Sequence, residues 1–263
     1  MYEIGILGVG KMGGSILEGM LTNDLYSKKD MLLMVHSKDK YEDYKDDGFN
    51  VTFDPADLFY SCKTIIVAIK PQMFKEVLTG AQKYDFDRRS IISIAAGVKI
   101  EKLLEYFKNA TIIRAMPNTP ALISSAVTTV CFNNDNEYVT SAINIFNSIG
   151  KTYKVKEEEM NQTLPLNGSM PAYAYLFMKA FIDAAVKQGI DEETAKGLCA
   201  NSVISSAKMV LSTSETIDTL IKNVCSKGGT TLAGLDKLYE NNFEKAVEEC
   251  YNACVNRSIE LGK

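Results

Sequence analysis

The sequence predicts an α/β fold in two parts: an N-terminal domain built on a mostly parallel sheet, then an all-helical C-terminal domain. Three observations carry this reading. Short continuous apolar runs alternate with helical patterns up to about Val155. A Gly-x-Gly-x-x-Gly string joins the first apolar run directly to the first helical pattern. Beyond Val155 the strand-like runs stop and only long helical periodicities remain. Continuous apolar runs bounded by turn residues are the mark of strands buried on both faces, as parallel strands are.

The elements follow in order. Ile4–Leu7 is the first run, broken by Gly8 and Gly10, and a helical pattern continues through Ile16, Leu17, Met20 and Leu21. Met31–Val35 is the second run and ends at His36-Ser37-Lys38. The third, Thr64–Ile69, ends at Lys70-Pro71, and the fourth, Ser90–Ile94, ends at Ala95-Ala96-Gly97. The fifth, Thr111–Ile113, leads into Arg114-Ala115-Met116-Pro117-Asn118. Helices are expected over Phe74–Tyr84 and Ile100–Phe107, and edge strands at Val127–Phe132 and Lys151–Val155 around a helix near Tyr138–Ile149. The later helices are expected over Tyr173–Gln188, Glu192–Leu211, Leu232–Asn241 and Phe243–Leu261, with Pro171 in a first turn and Gly189 as a stop. The expected division is therefore residues 1–155 and 156–263.

Composition narrows the function. With 29 Lys+Arg against 33 Asp+Glu the chain is slightly acidic, which argues against a non-specific nucleic-acid binder. No apolar stretch approaches the ~20 residues that span a bilayer, and Met1-Tyr2-Glu3 runs straight into the first strand without a basic leader. A cytoplasmic protein with no nucleic-acid or membrane partner is expected. The six cysteines are scattered without a Cys-x-x-Cys pair, and His36 is the only histidine. Idle thiols in a reducing compartment are expected, with no metal.

Gly8, Val9, Gly10, Lys11, Met12 and Gly13 form the glycine string. The first glycine permits a tight turn, the second lets backbone approach a pyrophosphate, and the third lets helix and strand pack closely. Free amides and the positive helix end then hold the phosphates, so a Rossmann-type dinucleotide-binding domain is expected. An acidic residue ending the second strand would favour NADH. Here Ser37 and Lys38 follow the strand, with Asp39 after them, and a hydroxyl with a lysine suits a 2′-phosphate. NADPH is expected, with NADH also usable. Ala68, Ile69, Lys70 and Pro71, and Ala95 and Ala96, stand at the carboxyl ends of strands, where open α/β sheets hold their ligands.

In the helical half, Val224-Cys225-Ser226-Lys227-Gly228-Gly229-Thr230-Thr231-Leu232-Ala233 reads as a helix start with exposed amides. It suits an anion such as a carboxylate, or equally an ordinary turn capped by Thr230 or Thr231. Small residues recur in this half, as in Ala184-Ala185 and Ser205-Ser206-Ala207, and so modest a helical core points to a dimer.

Along nearly its whole length the sequence resembles the pyrroline-5-carboxylate reductase family. The matching pieces are Gly8–Gly13, Ala68–Pro71, Ser93–Val98, Ile113–Pro120, Gly168–Tyr173, Ala207–Leu211 and Val224–Thr231. The resemblance implies a Rossmann domain and a helical domain that interlocks with a partner subunit, in dimers that can build decamers. It also implies hydride transfer from NAD(P)H to C5 of L-1-pyrroline-5-carboxylate, giving L-proline, the final step of proline biosynthesis. Carried over, Gly8–Gly13 bind pyrophosphate and Ser37 the 2′-phosphate. Ile69, Lys70 and Ala96 contact ribose and nicotinamide, helped by Asn118 and, from the helical domain, Glu157 and Asn223. Ser226 and the amides of Gly229, Thr230 and Thr231 hold the substrate carboxylate, and the Thr231 hydroxyl lies near the ring nitrogen as the catalytic group. Two departures stand out: Lys227 replaces a usual proline, and Asn167 and Met170 replace a serine and a small residue.

Two other readings compete. A 3-hydroxyisobutyrate-type dehydrogenase needs a lysine with asparagine one turn later, and no asparagine follows Lys179, Lys187 or Lys208 at that spacing. A non-catalytic NADP(H)-binding redox sensor would have no use for the Val224–Thr231 run.

Overall fold

In the computed structural model, which describes residues 1–261, the apolar runs pair into one eight-stranded sheet. Its strands are β1 (Tyr2–Leu7), β2 (Met31–Met34), β3 (Asn50–Thr52), β4 (Cys62–Val67), β5 (Ser90–Ser93), β6 (Thr111–Met116), β7 (Ala126–Phe132) and β8 (Gly150–Lys154). They lie in the order β3-β2-β1-β4-β5-β6-β7-β8, parallel except where β7 runs antiparallel to β6.

Consecutive residues of each strand feed opposite faces, as the period of 2 requires. Leu7, Ile65, Val67, Ile91 and Ile112 enter one apolar cluster, while Ile6, Ile66, Ile92 and Ile113 enter the other. Helices α1 (Lys11–Thr22) and α6 (Glu137–Asn147) supply Ile16, Leu17, Val139 and Phe146 to the second face. The first face is covered by α3 (Pro55–Ser61), α4 (Phe74–Leu78) and α5 (Ile100–Tyr106). Phe59, Phe86 and Phe107 meet there edge to face, with centroids 5.1 to 6.4 Å apart. Arg89 is buried beside them, and its Nε donates to the Cys62 carbonyl at 2.8 Å while Nη1 donates to that of Phe59. It thereby satisfies carbonyls that the end of α3 leaves without helical partners.

Several elements differ from expectation, and the helix expected over Phe74–Tyr84 is α-helical only to Leu78 before a 3₁₀ stretch over Thr79–Lys83. Val127–Phe132 was expected at an edge, but β7 lies between β6 and β8, and β8 forms the edge. The other edge is β3, reached through α2 (Lys38–Asp46), and neither shows in the apolar pattern. No residue of α2 is buried, and it attaches through half-buried Tyr41 and Tyr44, the latter edge-on to Phe49 at 5.6 Å.

After β8 no further strand forms among the described residues. Helices α7 (Met160–Thr163), α8 (Met170–Lys187), α9 (Glu192–Ser212), α10 (Ile217–Val224), α11 (Thr230–Glu240) and α12 (Phe243–Leu261) follow. Pro171 falls in the first turn of α8, and Gly189 takes φ +88° just beyond its end. The chain forms two compact units, Met1–Pro171 with the last helical turns from Cys254, and Ala172–Ala253. No helix among the described residues is long and apolar enough to cross a membrane.

Candidate functional site

The register of the sheet brings four strand ends into one row. Met34, Leu7, Val67 and Ser93 are paired side by side across β2, β1, β4 and β5. The segments that leave these strands, His36-Ser37, Gly8–Gly10, Ala68–Lys70 and Ala95-Ala96, therefore share the carboxyl end of the sheet. Between β1 and β4 the strand order reverses, which is where open α/β sheets take ligands.

The glycines at that reversal have separate reasons. Gly8 has φ +97°, and a Cβ there would lie 2.8 Å from Cγ2 of Ile69. A Cβ on Gly13 would lie 2.4 Å from the Gly8 carbonyl oxygen, so helix and turn touch directly. Gly10 is different: nothing lies within 4 Å of where its Cβ would be. It is also the N-cap of α1, with no side chain closing the helix end. The first helical bond runs from the Gly14 amide to the Gly10 carbonyl at 2.8 Å, so the amides of Lys11, Met12 and Gly13 precede the first helical partner. An open face over unclosed amides fits a pyrophosphate.

The other expected residues of this unit divide in two. Lys70, Ala96 and Ser37 are exposed at the row of strand ends; Ala68 is partly buried, and Ile69 and Ala95 pack beneath them. Pro71 begins a single 3₁₀ turn. Asn118 and Glu157 are instead engaged with protein. The Asn118 side chain donates to the Asn167 carbonyl at 3.0 Å and accepts from the Val127 amide at 2.9 Å. Asn167 in turn donates to the Met116 carbonyl at 2.8 Å and to Oγ1 of Thr129 at 3.2 Å. Asn167 thus ties the end of β6 to β7. Glu157 belongs to the unit built on the sheet. Its Oε1 accepts from Arg114 at 2.6 Å and from the Ile100 amide at the start of α5 at 2.8 Å.

In the helical unit, Gly228 turns the chain with φ +73°, and Gly229 is the N-cap of α11. Thr230 and Thr231 are the first two helical residues, not caps, and no side chain closes the helix end. The Gly229 amide is occupied by the Ser226 carbonyl at 2.9 Å. The first helical bond is Ala233 to Gly229, leaving the Thr230 and Thr231 amides as open donors. A Cβ on Gly229 would lie 2.3 Å from Oγ of Ser226 and 3.0 Å from its carbonyl oxygen, so any larger residue would displace the serine side chain and crowd the turn. Thr230, Thr231 and Lys227 are exposed around this end, and Asn223, on α10, donates to Oε2 of Glu215 at 3.3 Å.

Sequence reasoning missed one participant. Nζ of Lys40, on α2, donates to the Val9 carbonyl at 2.7 Å, inside the glycine turn. Its place three residues after Ser37, one helical turn on, was the available signal.

Comparison with known proteins places these features in context. Residues 157–261 match the model of pyrroline-5-carboxylate reductase dimerisation domains, and residues 3–97 match that of coenzyme F420-dependent NADP oxidoreductases. The pyrroline-5-carboxylate reductase of Pasteurella multocida is 34% identical over 99% of this chain and 98% of its own length. The structure of Plasmodium falciparum pyrroline carboxylate reductase with NADP bound superposes with a TM-score of 0.88 at 30% identity, covering 100% of this chain and 98% of that one. The corresponding reductase of Coxiella burnetii gives 0.91 at 29% identity, covering 100% and 99%.

Proposed function

The chain belongs to the pyrroline-5-carboxylate reductase family, and from that membership we infer how its residues share one reaction: reduction of L-1-pyrroline-5-carboxylate by NAD(P)H to L-proline. The enzyme is an NAD(P)H-dependent oxidoreductase acting on a cyclic imine. The observation that carries the division of roles is that two helix ends lack side-chain caps, at Gly10 and at Gly229. One suits a pyrophosphate and the other a substrate carboxylate.

We assign residues 1–155 to the dinucleotide and 156–263 to substrate binding and dimerisation. Gly8 to Gly13 hold the pyrophosphate, and Ser37 faces the 2′-phosphate of NADPH. Ala68–Pro71, Ala95 and Ala96 form the floor for ribose and nicotinamide, with Asn118 and Glu157 bracing the loops beside it. Bound NAD(P)H supplies the hydride that reduces the C=N bond at C5. The Thr230 and Thr231 amides hold the carboxylate; Gly229 keeps the approach free of a side chain, and Ser226 lines it. The Thr231 hydroxyl accepts from the protonated ring nitrogen and orients the imine. A protonated imine is already electrophilic, so alignment is the main demand and no acid catalyst is needed. The lone histidine, His36, is exposed beyond the end of β2 and has no part in this scheme. Lys179, a candidate base in the hydroxy-acid dehydrogenase alternative, is instead ion-paired to Asp183.

The dimerisation-type domain marks a homo-oligomer. Within a single chain α8 buries none of its residues, and Tyr175, Leu176 and Phe181 are 58%, 68% and 51% exposed. On α9 only Ala195 is buried. Apolar surface on this scale calls for a partner, and we assign that partner to a second copy, with a decamer built from five such dimers as the larger assembly. We place the enzyme in the cytoplasm, where scattered free thiols are ordinary.

Turnover of L-proline with NADP⁺ at high pH tests the assignment. Formation of NADPH is expected with proline and not with 3-hydroxy acids; the reverse pattern would overturn it.

A further inference from the structure

We propose that Lys40, rather than Lys38, is the cation that selects NADPH over NADH. The inference rests on the family reading for the cofactor and adds a residue that the sequence did not mark.

The two lysines differ in what the fold does with them. Lys38 is the first residue of α2, exposed, and its side chain makes no hydrogen bond or ion pair among the described residues. Lys40 stands two residues later, and its amide donates to Oγ of Ser37, the N-cap of the helix. Its side chain turns back across the edge of the sheet, and Nζ donates to the Val9 carbonyl at 2.7 Å. The ammonium is thereby fixed between the two segments that follow β1 and β2. Val9 is flanked by Gly10, whose face is open.

An ammonium has three donors, and Val9 takes one. The other two remain for a ligand lying between the Val9 turn and the start of α2, the helix that Ser37 caps. A 2′-phosphate carries nearly two negative charges, and a cation already anchored loses less side-chain freedom on meeting it than a free lysine does. NADH offers only a neutral hydroxyl there and gains little from the same ammonium. Asp39, exposed beside it on the first turn of α2, faces the same solvent and lowers the local potential without pairing to Lys40.

The test pairs binding with turnover. Calorimetry of adenosine 2′,5′-bisphosphate and of 5′-AMP is run on the parent, Lys40→Met, Lys40→Arg and Lys38→Met, alongside kcat/KM for NADPH and NADH. Lys40→Met is expected to weaken the bisphosphate on the order of tenfold and to leave 5′-AMP and NADH nearly unchanged. Lys40→Arg is expected to keep the preference. Equal weakening of both nucleotides by Lys40→Met would make Lys40 a structural tie and overturn the proposal, as would a selective loss in Lys38→Met alone. A parent that binds the nucleotides but forms no proline would defeat the family reading while leaving the Lys40 comparison decisive by binding.

Discussion

The Arg114 guanidinium and the Glu157 carboxylate lie 2.6 Å apart, with the arginine side chain 6% exposed and the glutamate 33%. The same glutamate oxygen accepts the first amide of α5. One carboxylate thus joins the middle of β6, the start of α5 and the chain leaving β8. Removing it strands a buried cation, which costs ~3–5 kcal/mol when both partners are fully buried. Because Glu157 is partly hydrated, Glu157→Ala is expected at the lower end, about 2–3 kcal/mol. Urea unfolding measures it, and a change below about 0.5 kcal/mol would mean that water replaces the carboxylate freely.

Gly10 and Gly13 are expected to fail differently. Gly13→Ala drives a methyl into the Gly8 carbonyl, 2.4 Å away, and should destabilise the fold by about 1–3 kcal/mol. Gly10→Ala meets nothing within 4 Å, so stability should move by less than about 1 kcal/mol, while NADPH binding weakens severely. Thermal unfolding and cofactor titration on both variants separate the two. Unchanged NADPH affinity in Gly10→Ala would remove the pyrophosphate from this turn.

Burial pushes the thiols of Cys62 and Cys131 up to about 11, from an ordinary value of 9.0. A thiol whose folded pKa exceeds its unfolded one stabilises the fold fully below the unfolded value. That stability is lost as pH rises from about 9 to 11. The urea midpoint is therefore expected to fall across this window, and less so in Cys62→Ala when each protein is referred to its own value at pH 7. An identical fall in both proteins would assign the alkaline loss to other groups.

The exposed apolar residues of α8 and α9 predict at least a dimer at micromolar concentration by light scattering. Phe181→Glu, placed on that surface, is expected to shift the protein toward monomer without altering the sheet unit. A monomeric, fully active parent would show that this surface is left open.

Much of this was legible in the sequence because it was written in apolar runs and glycines. β1, β2, β4 and β5 announce themselves through continuous Ile, Leu, Val and Met, and their shared register places the glycine turn at the reversal of strand order. α2 and β3 were not legible, since α2 buries nothing and β3 is three residues long. The Lys40 contact, the Asn118–Asn167 tie and the Arg114–Glu157 pair join residues 31 to 49 positions apart. Such pairings depend on how strands are ordered, which local periodicity does not encode. At the Thr230–Thr231 end the sequence left the capping residue open between the two threonines, and the structure puts Gly229 there instead.

In the proposed reaction the start of α11 binds and aligns the substrate. The most direct measurement is kcat/KM for L-1-pyrroline-5-carboxylate in Thr231→Ala relative to the parent, with NADPH affinity measured on the same samples. Loss of one hydrogen bond to the charged imine should cost about 1–3 kcal/mol, a fall of roughly tenfold to a hundredfold, with NADPH affinity unchanged. Equal kcat/KM in the two proteins would mean that the Thr231 hydroxyl does not align the imine.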